Sequence, residues 1–99
     1  DRHYLQFCVK LGLIIKMVYY VYLLGSGDKS KLITYVGYTN NLKKRLNMHN
    51  IGKGAKFTRG RKWKIMYTEK FATKNEAISR EYYIKNNRKF RKLLKKKYS

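Results

Sequence analysis

One glutamate stands out in this sequence because acidic residues are scarce: 25 Lys and Arg face only five Asp and Glu in 99 residues. Glu81 lies in "ISREYYIKN" (residues 78–86), between basic and aromatic neighbours. On a predicted helix it shares a face with Ala77 and Ile78, on or beside the apolar stripe, where an unpaired charge is costly. Glu81 therefore either binds a cation or is a surface residue paired with Lys85, and the spacing leaves both interpretations open.

Arg45 and His49 form a second candidate constellation, four residues apart in a predicted helix that ends near residue 51. That spacing points both side chains the same way, one turn apart. An arginine there can bind a phosphate through two parallel hydrogen bonds, which a lysine does less well. The competing interpretation is that Arg45 is one more solvated cation in "LKKRL" (residues 42–46).

Tyr22 and Tyr35 are the remaining candidates for chemistry. Tyr22 shares one face of the first predicted strand with Tyr20, and Tyr35 lies in the second predicted strand, two residues before Gly37. Gly37 is expected to let the backbone turn without a side chain. Strand tyrosines are usually packing residues, so a functional interpretation of these two depends on the other candidate residues.

Taken in order, these features resemble the GIY-YIG nuclease family, most closely its small stand-alone bacterial members. The resemblance spans nearly all of residues 18–86 and includes the loop "GKGAKFTRGRK". It is carried by "YVY" at 20–22, "YVG" at 35–37, Arg45, His49 and Glu81. Tyr20 replaces a glycine and Val21 and Val36 replace isoleucines, which preserves strand-forming residues. Many members also have a late active-site asparagine, and Asn86 and Asn87 follow the glutamate too closely to be matched with it.

The resemblance implies a metal-dependent endonuclease that hydrolyses DNA phosphodiester bonds. It implies that Tyr22 activates the attacking water and that Tyr35 supports this network. Arg45 is then expected to steady the scissile phosphate, with His49 beside it. Glu81 becomes the ligand of one divalent ion, Mg²⁺ or Mn²⁺. A single carboxylate suits Mg²⁺ because water and phosphate oxygens supply its other ligands.

The net charge of +20 favours a phosphate-rich partner. An acidic membrane is a weaker alternative, because no long amphipathic helix with a Trp/Leu face stands out. The last, very basic helix is expected to help hold DNA, whether duplex, branched or single-stranded. Phe57 or Trp63 is placed to stack on an unpaired base, although the position of Trp63 favours the start of a core strand. The predicted backbone contacts lie in the loop at 52–62: Lys53, Lys56, Arg59, Arg61 and Lys62.

The elements predicted to position these residues define an α/β (α+β) fold, a three-stranded antiparallel sheet flanked by helices. Strands are predicted at 17–24, 32–38 and 63–71 from their β-branched and aromatic residues. Thr39 or Asn40 is expected to cap the first helix. "TKNE" (residues 73–76) matches a capping box that starts a helix ending near residue 86. In the last helix, Phe90, Leu93 and Leu94 are expected to share one side.

One domain, residues 17–99, accounts for this length. Residues 1–16 are expected to be an upstream extension or, alternatively, a short extra element packed on the domain. The single cysteine excludes an internal disulfide, and with two histidines it cannot form a standard zinc site. A cytoplasmic location, no membrane partner and a role in DNA repair are expected.

Three functional hypotheses follow. The first is the endonuclease, the second a nucleic-acid-binding module that kept the fold without turnover, and the third a basic structural protein that binds structured RNA. The first is favoured because binding alone requires no carboxylate. Dimerisation, a protein partner and the preferred substrate structure are left open by the sequence.

Overall fold

The computed structural model describes residues 17–28 and 30–98, so the prediction for residues 1–16 lies outside the described part of the chain. Three strands form one antiparallel sheet in the order β2-β1-β3. This confirms the predicted fold, with boundaries shifted by one or two residues. The described elements are β1 (Tyr19–Ser26), β2 (Ile33–Thr39), α1 (Leu42–Asn50), β3 (Lys64–Phe71), α2 (Lys74–Lys85) and α3 (Arg88–Tyr98).

The central strand β1 is buried on both faces, which explains its nearly continuous apolar sequence. Val21 and Leu23 pack in one cluster with residues of α2 and α3. Tyr22 and Leu24 point to the opposite face, in a second cluster with Trp63 and with leucines of α1. The alternation along β1 therefore sends Tyr22 towards α1 and away from the larger core.

The starts of two helices bear directly on the candidate residues. Asn41, rather than the expected Thr39 or Asn40, caps α1, because its side chain accepts a hydrogen bond from the Lys44 backbone N–H at 3.1 Å. Thr39 instead bonds to the Asn41 backbone. The capping box predicted at the start of α2 is confirmed, with Thr73 and Glu76 bonding reciprocally.

Two apolar residues that the sequence grouped on an apolar side of a helix are exposed. Ile78 is 40% exposed and Leu93 is 65% exposed. In α2 the buried positions are Ala77 and Ile84, seven apart, so a residue directly after Ala77 is turned about 100° away. Leu93 is displaced in the same way from Leu94, which is buried.

One ion pair fixes α2 against β3. Arg80 donates from Nε to Glu69 at 2.7 Å and from a terminal nitrogen at 3.0 Å, and it is the one side-chain ion pair found within residues 17–28 and 30–98. The Arg80 guanidinium also stacks near the rings of Tyr83 and Phe90, at 4.9 and 5.1 Å from their centroids. The hydrogen bonds from Arg80 hold the pKa of Glu69 below its ordinary value. This arrangement fixes the rotation of α2 and therefore the direction of the next residue, Glu81.

Among the described residues, no helix combines the length and apolar character needed to cross a bilayer.

Candidate active site

The Tyr22 side chain occupies space that Gly37 leaves open. The two residues are cross-strand partners in β1 and β2. A Cβ on Gly37 would lie 2.4 Å from the Tyr22 hydroxyl and 2.5 Å from its ring. We expected this glycine to allow a turn, but it lies within β2, and its role is to make room for the phenol.

Tyr22, His49 and Thr58 form a buried chain of hydrogen bonds. The Tyr22 hydroxyl lies 2.9 Å from His49 Nε2, and His49 Nδ1 lies 2.8 Å from Thr58 Oγ1. Thr58 also donates to the Ala55 carbonyl at 3.0 Å and accepts from the Ala55 N–H at 3.2 Å. His49 and Thr58 are fully buried, so the chain is closed to solvent at this end.

The directions of these bonds assign the His49 tautomer. Thr58 has one hydroxyl proton, which it gives to Ala55, so His49 Nδ1 must donate to Thr58. In a neutral ring Nε2 then carries the lone pair and accepts from Tyr22. Burial, and after it the positive charge of Arg45, lower the pKa of His49, which keeps the ring neutral at physiological pH.

Arg45 completes the environment of the phenol. Its Nε donates to the Tyr22 oxygen at 3.3 Å, and this hydrogen bond raises the pKa of Arg45. Nearby cations lower the pKa of a phenol, but the net shift of Tyr22 has the opposite direction: burial dominates and raises its pKa, while Arg45 offsets only part of the rise. Tyr22 therefore holds its proton at neutral pH and must pass it on in order to act on water.

Glu81 faces the same site from α2. An open concavity of about 440 Å³ lies over Tyr22, and we refer to it as the tyrosine concavity. It brings together four of the five residues predicted to be catalytic, and they come from the neighbouring strands β1 and β2 and from α1 and α2. The fifth, His49, is buried behind Tyr22 rather than on the surface. The lining residues are Tyr19, Tyr22, Tyr35, Gly37, Tyr38, Thr39, Asn40, Arg45, Lys74 and Glu81.

The surroundings of Glu81 show no pairing with Lys85. Its side chain makes no hydrogen bond or ion pair within the described residues. Lys85, the alternative partner, lines a different groove. Glu81 is close enough to Tyr22 for its charge to contribute to the raised pKa of the phenol. Glu81 is thus a half-buried, uncompensated carboxylate aimed at the concavity that contains Tyr22 and Arg45.

This donor set fits one hard divalent ion that is shared with a substrate. No group of three or more His, Cys, Asp or Glu converges anywhere in the described part of the chain, so a site made only of protein ligands is not formed there. A lone carboxylate at an open concavity matches the preference of Mg²⁺ for few protein ligands, several waters and phosphate oxygens.

Tyr35 links the concavity to the loop. Its ring centroid lies 5.0 Å from that of His49 and 6.2 Å from that of Phe57, which stacks on it at 21°. Phe57 is 57% exposed and remains accessible to a base. Trp63 is buried and donates to the Thr58 carbonyl at 2.9 Å, so its interpretation as a core residue is correct and it cannot stack on a base.

Other predicted residues lie outside the concavity. Asn86 donates to the Tyr82 carbonyl and Asn87 accepts from the Phe90 N–H, so both amides cap helix ends. All five loop cations are exposed on the segment between α1 and β3, as contacts with a DNA backbone require: Lys53, Lys56, Arg59, Arg61 and Lys62.

Thr58 and Gly54 are site residues that the sequence interpretation missed. A Cβ on Gly54 would lie 2.4 Å from His49 Nδ1, so this glycine lets the loop close over the imidazole. A signal was present, because a buried neutral histidine needs a partner for each nitrogen. Thr58 is the one hydroxyl residue between residues 52 and 62.

The buried imidazole predicts a specific pH dependence of stability. Since the pKa of His49 is lower in the folded state, the unfolded chain binds a proton first as the pH falls. The free energy of unfolding is therefore expected to be highest above about pH 6.5 and to fall below it, by at most about 1.4 kcal/mol per pH unit. Urea unfolding between pH 5 and 8 measures this slope. His49→Gln should remove it and His3→Gln should not; a slope that survives His49→Gln contradicts the assignment.

Comparison with known proteins places the chain in a family. The sequence model of the GIY-YIG catalytic domain matches residues 18–98. The chain therefore belongs to the GIY-YIG family, the catalytic domains of a nuclease superfamily.

Within that family its similarity is to small proteins named UPF0213. It is 51% identical to one from Oceanobacillus iheyensis, over 76% of this chain and 85% of that protein. It is 53% identical to one from Clostridium perfringens, over 75% of this chain and 77% of the relative. The solution NMR structure of a UPF0213 protein from Bacillus halodurans is 38% identical, over 77% of this chain and 79% of that one, with a TM-score of 0.42.

Proposed function

We propose that this protein is a metal-dependent endonuclease that hydrolyses phosphodiester bonds in DNA. The observation that carries the proposal is the convergence, at one concavity, of a tyrosine bonded to a buried histidine, an arginine and an uncompensated carboxylate. A net charge of +20 supports a polyanionic substrate. A cytoplasmic setting and a role in DNA repair complete the proposal.

The attacking water loses its proton through Tyr22. As water oxygen bonds to phosphorus, its proton moves to the Tyr22 oxygen while the phenolic proton moves to His49 Nε2. The bond from phosphorus to the leaving oxygen breaks, and that oxygen takes a proton from solvent. His49 afterwards returns its extra proton to solvent through Tyr22, which restores the starting state. This relay requires no free phenolate, which agrees with the raised pKa of Tyr22. The lowered pKa of His49 keeps Nε2 unprotonated before the reaction, so that it is free to accept a proton.

Arg45 would stabilise charge on the phosphate directly, and Glu81 would do so through the ion that it holds. Arg45 uses Nε–H to orient Tyr22, which leaves its terminal nitrogens to bind a phosphate oxygen. Glu81 would hold Mg²⁺ or Mn²⁺, and the ion when bound supplies neutralisation of charge on the phosphate and the leaving oxygen. Tyr35 packs against His49 and keeps the imidazole in place.

The loop cations are proposed to hold the DNA backbone next to the site. They are exposed and flank glycines, two of which, Gly52 and Gly60, have positive φ angles of 81° and 77°. Contacts of this kind are independent of sequence and weaken with salt.

A cleavage assay with the wild-type chain tests the proposal. Supercoiled plasmid and end-labelled branched, duplex and single-stranded DNA are incubated with Mg²⁺, Mn²⁺ or EDTA. Cuts that require a divalent ion are expected, and each cut should leave one hydroxyl end and one phosphate end, the products of hydrolysis. Binding to every substrate without cleavage would contradict the proposal and favour a binding module. Preferential binding to structured RNA without cleavage would favour a structural role instead.

Arg45→Lys is expected to keep DNA affinity and lose about 10²-fold in cleavage rate. The charge remains, but a lysine cannot bond to Tyr22 and grip a phosphate with two parallel hydrogen bonds at once. Single-turnover rates and binding by fluorescence anisotropy separate the two effects. Lys43→Arg, the reverse exchange at an exposed position of the same helix, is the matched control and should change neither. An unchanged cleavage rate in Arg45→Lys would show that Arg45 takes no part in the chemistry.

A further inference from the structure

A second groove adjoins the tyrosine concavity and plays no part in the chemistry above. It has a volume of about 660 Å³ and runs between the outer strand β2 and helix α3, and we refer to it as the α3 groove. Its lining is unusually rich in cations, and Tyr35 is the residue that it shares with the tyrosine concavity. The lining residues are Thr34, Tyr35, Val36, Phe57, Lys85, Arg88, Arg91, Lys92 and Lys95.

The cations of the α3 groove belong to one helical face. Arg88, Arg91, Lys92 and Lys95 are spaced at intervals of three, one and three, which places them along one side of α3. No carboxylate lines the groove within the described residues. Two other basic residues of this helix, Lys89 and Lys96, lie with Leu93 on its outer side, which Lys92 also borders.

These charges lack internal compensation. Arg91 is the exception, since its guanidinium caps α2 by donating to the Ile84 carbonyl at 3.3 Å and to the carbonyl of Lys85. The side chains of Lys85, Arg88, Lys92 and Lys95 make no hydrogen bond or ion pair within the described part of the chain. Parallel cations held together in a groove repel one another, so their best partner is a regularly spaced polyanion.

The α3 groove continues from the proposed catalytic residues. Lys85 follows Glu81 by one helical turn on α2, so the carboxylate and the first cation of the groove are neighbours. Tyr35 forms the boundary between the two depressions. Phe57, stacked on Tyr35 and 57% exposed, presents an aromatic face at this boundary. A strand lying across Tyr22 therefore meets a continuous path of phosphate-binding groups beyond Tyr35.

We propose that the α3 groove binds the sugar–phosphate backbone of the scissile strand on one side of the cut. This inference rests on the proposed endonuclease function, and it adds a substrate subsite separate from the loop cations. Lys85 and Lys95 each contact a phosphate of that strand. The groove thereby fixes the direction in which the strand leaves the active site.

Salt-dependent binding provides the first test, using two matched pairs of lysines. Lys85→Gln with Lys95→Gln removes two charges from the groove, while Lys89→Gln with Lys96→Gln removes two from the outer side of α3. Glutamine preserves helix propensity. Anisotropy of labelled DNA in EDTA is measured from low to moderate salt. The groove pair is expected to reduce the slope of log K against log salt by about 1.4–1.8, and the outer pair to leave it nearly unchanged. Equal losses in both pairs would overturn the proposal.

Neutral backbone linkages provide the second test. Single methylphosphonates are moved along the scissile strand, and affinity is measured for the wild type and the groove pair. Weakened binding of the wild type is expected for substitutions on one side of the cut, and the groove pair should be insensitive to the same substitutions. Sensitivity on both sides, or on the uncut strand only, would overturn the assignment.

The two proposals fail in different ways. Cleavage by the wild type together with equal salt slopes for the two lysine pairs would overturn the proposal for the α3 groove and leave the endonuclease proposal standing. A loss of slope specific to the groove pair with no cleavage in Mg²⁺ or Mn²⁺ would overturn the endonuclease and, with it, the assignment to a scissile strand. Competition by an acidic peptide that matches DNA in affinity would assign the groove to a protein partner and overturn the proposal.

Discussion

Glu81→Gln is expected to abolish metal-dependent cleavage, with a loss of about 10³-fold or more in rate. The substitution keeps the shape of the side chain and removes the charge that would hold the divalent ion. DNA binding in EDTA should stay the same or tighten slightly, since one negative charge next to the substrate disappears. The melting temperature should change little, because Glu81 has no hydrogen bond or ion pair within the described residues.

Glu76→Gln is the matched control for this prediction. It removes the same charge from the same helix, five residues away. Glu76 accepts hydrogen bonds from Thr73 in the capping box, and a glutamine oxygen serves there equally well. Wild-type cleavage is expected. Comparable cleavage by Glu81→Gln and the control at all Mg²⁺ concentrations would show that Glu81 holds no catalytic metal.

Tyr22→Phe is expected to lower the cleavage rate by about 10²–10⁴-fold with unchanged DNA affinity. The hydroxyl is both the acceptor for Arg45 and the donor to His49, so its removal interrupts the relay at its centre. Because Tyr22 is only 2% exposed, it contributes little to binding. The free energy of unfolding should fall by about 1 kcal/mol, since His49 Nε2 loses its partner.

The pH dependence of the cleavage rate of Tyr22→Phe distinguishes a role in the relay from a purely structural role. Tyr20→Phe, two residues earlier on β1, is the control and should retain full activity. In the wild type, activity should persist below pH 6.5 because the pKa of His49 is lowered, and it should fall once the ring is protonated. The residual activity of Tyr22→Phe should lose this acid limb. A wild-type rate in Tyr22→Phe would refute the relay.

Much of the fold followed from local patterns. The capping box at Thr73 and the β-branched strands are short-range signals, and each formed close to where it was predicted. The exposed positions of Ile78 and Leu93 have one origin. A helix with apolar residues at adjacent positions does not reveal which of them faces the core, because that depends on the rotation of the helix in the packed structure.

The direction of the Tyr22 pKa shift was also beyond the sequence. Composition shows many cations, and cations lower the pKa of a phenol. Burial acts in the opposite direction and is larger here. How far a side chain is buried is a property of the whole packed neighbourhood, in this case the β strands, α1 and the loop that carries Thr58.

The sequence by itself determined the elements, the family resemblance and the identities of the groups available for chemistry, because these depend on residue types and on spacing along the chain. Only the tertiary structure decided that Tyr22 bonds to both His49 and Arg45, that Glu81 is free of Lys85, and that the cations of α3 divide between a groove and an outer face. Each of these facts depends on contacts between residues distant in sequence. Such contacts are set by how helices rotate and dock on the sheet, which no local pattern specifies.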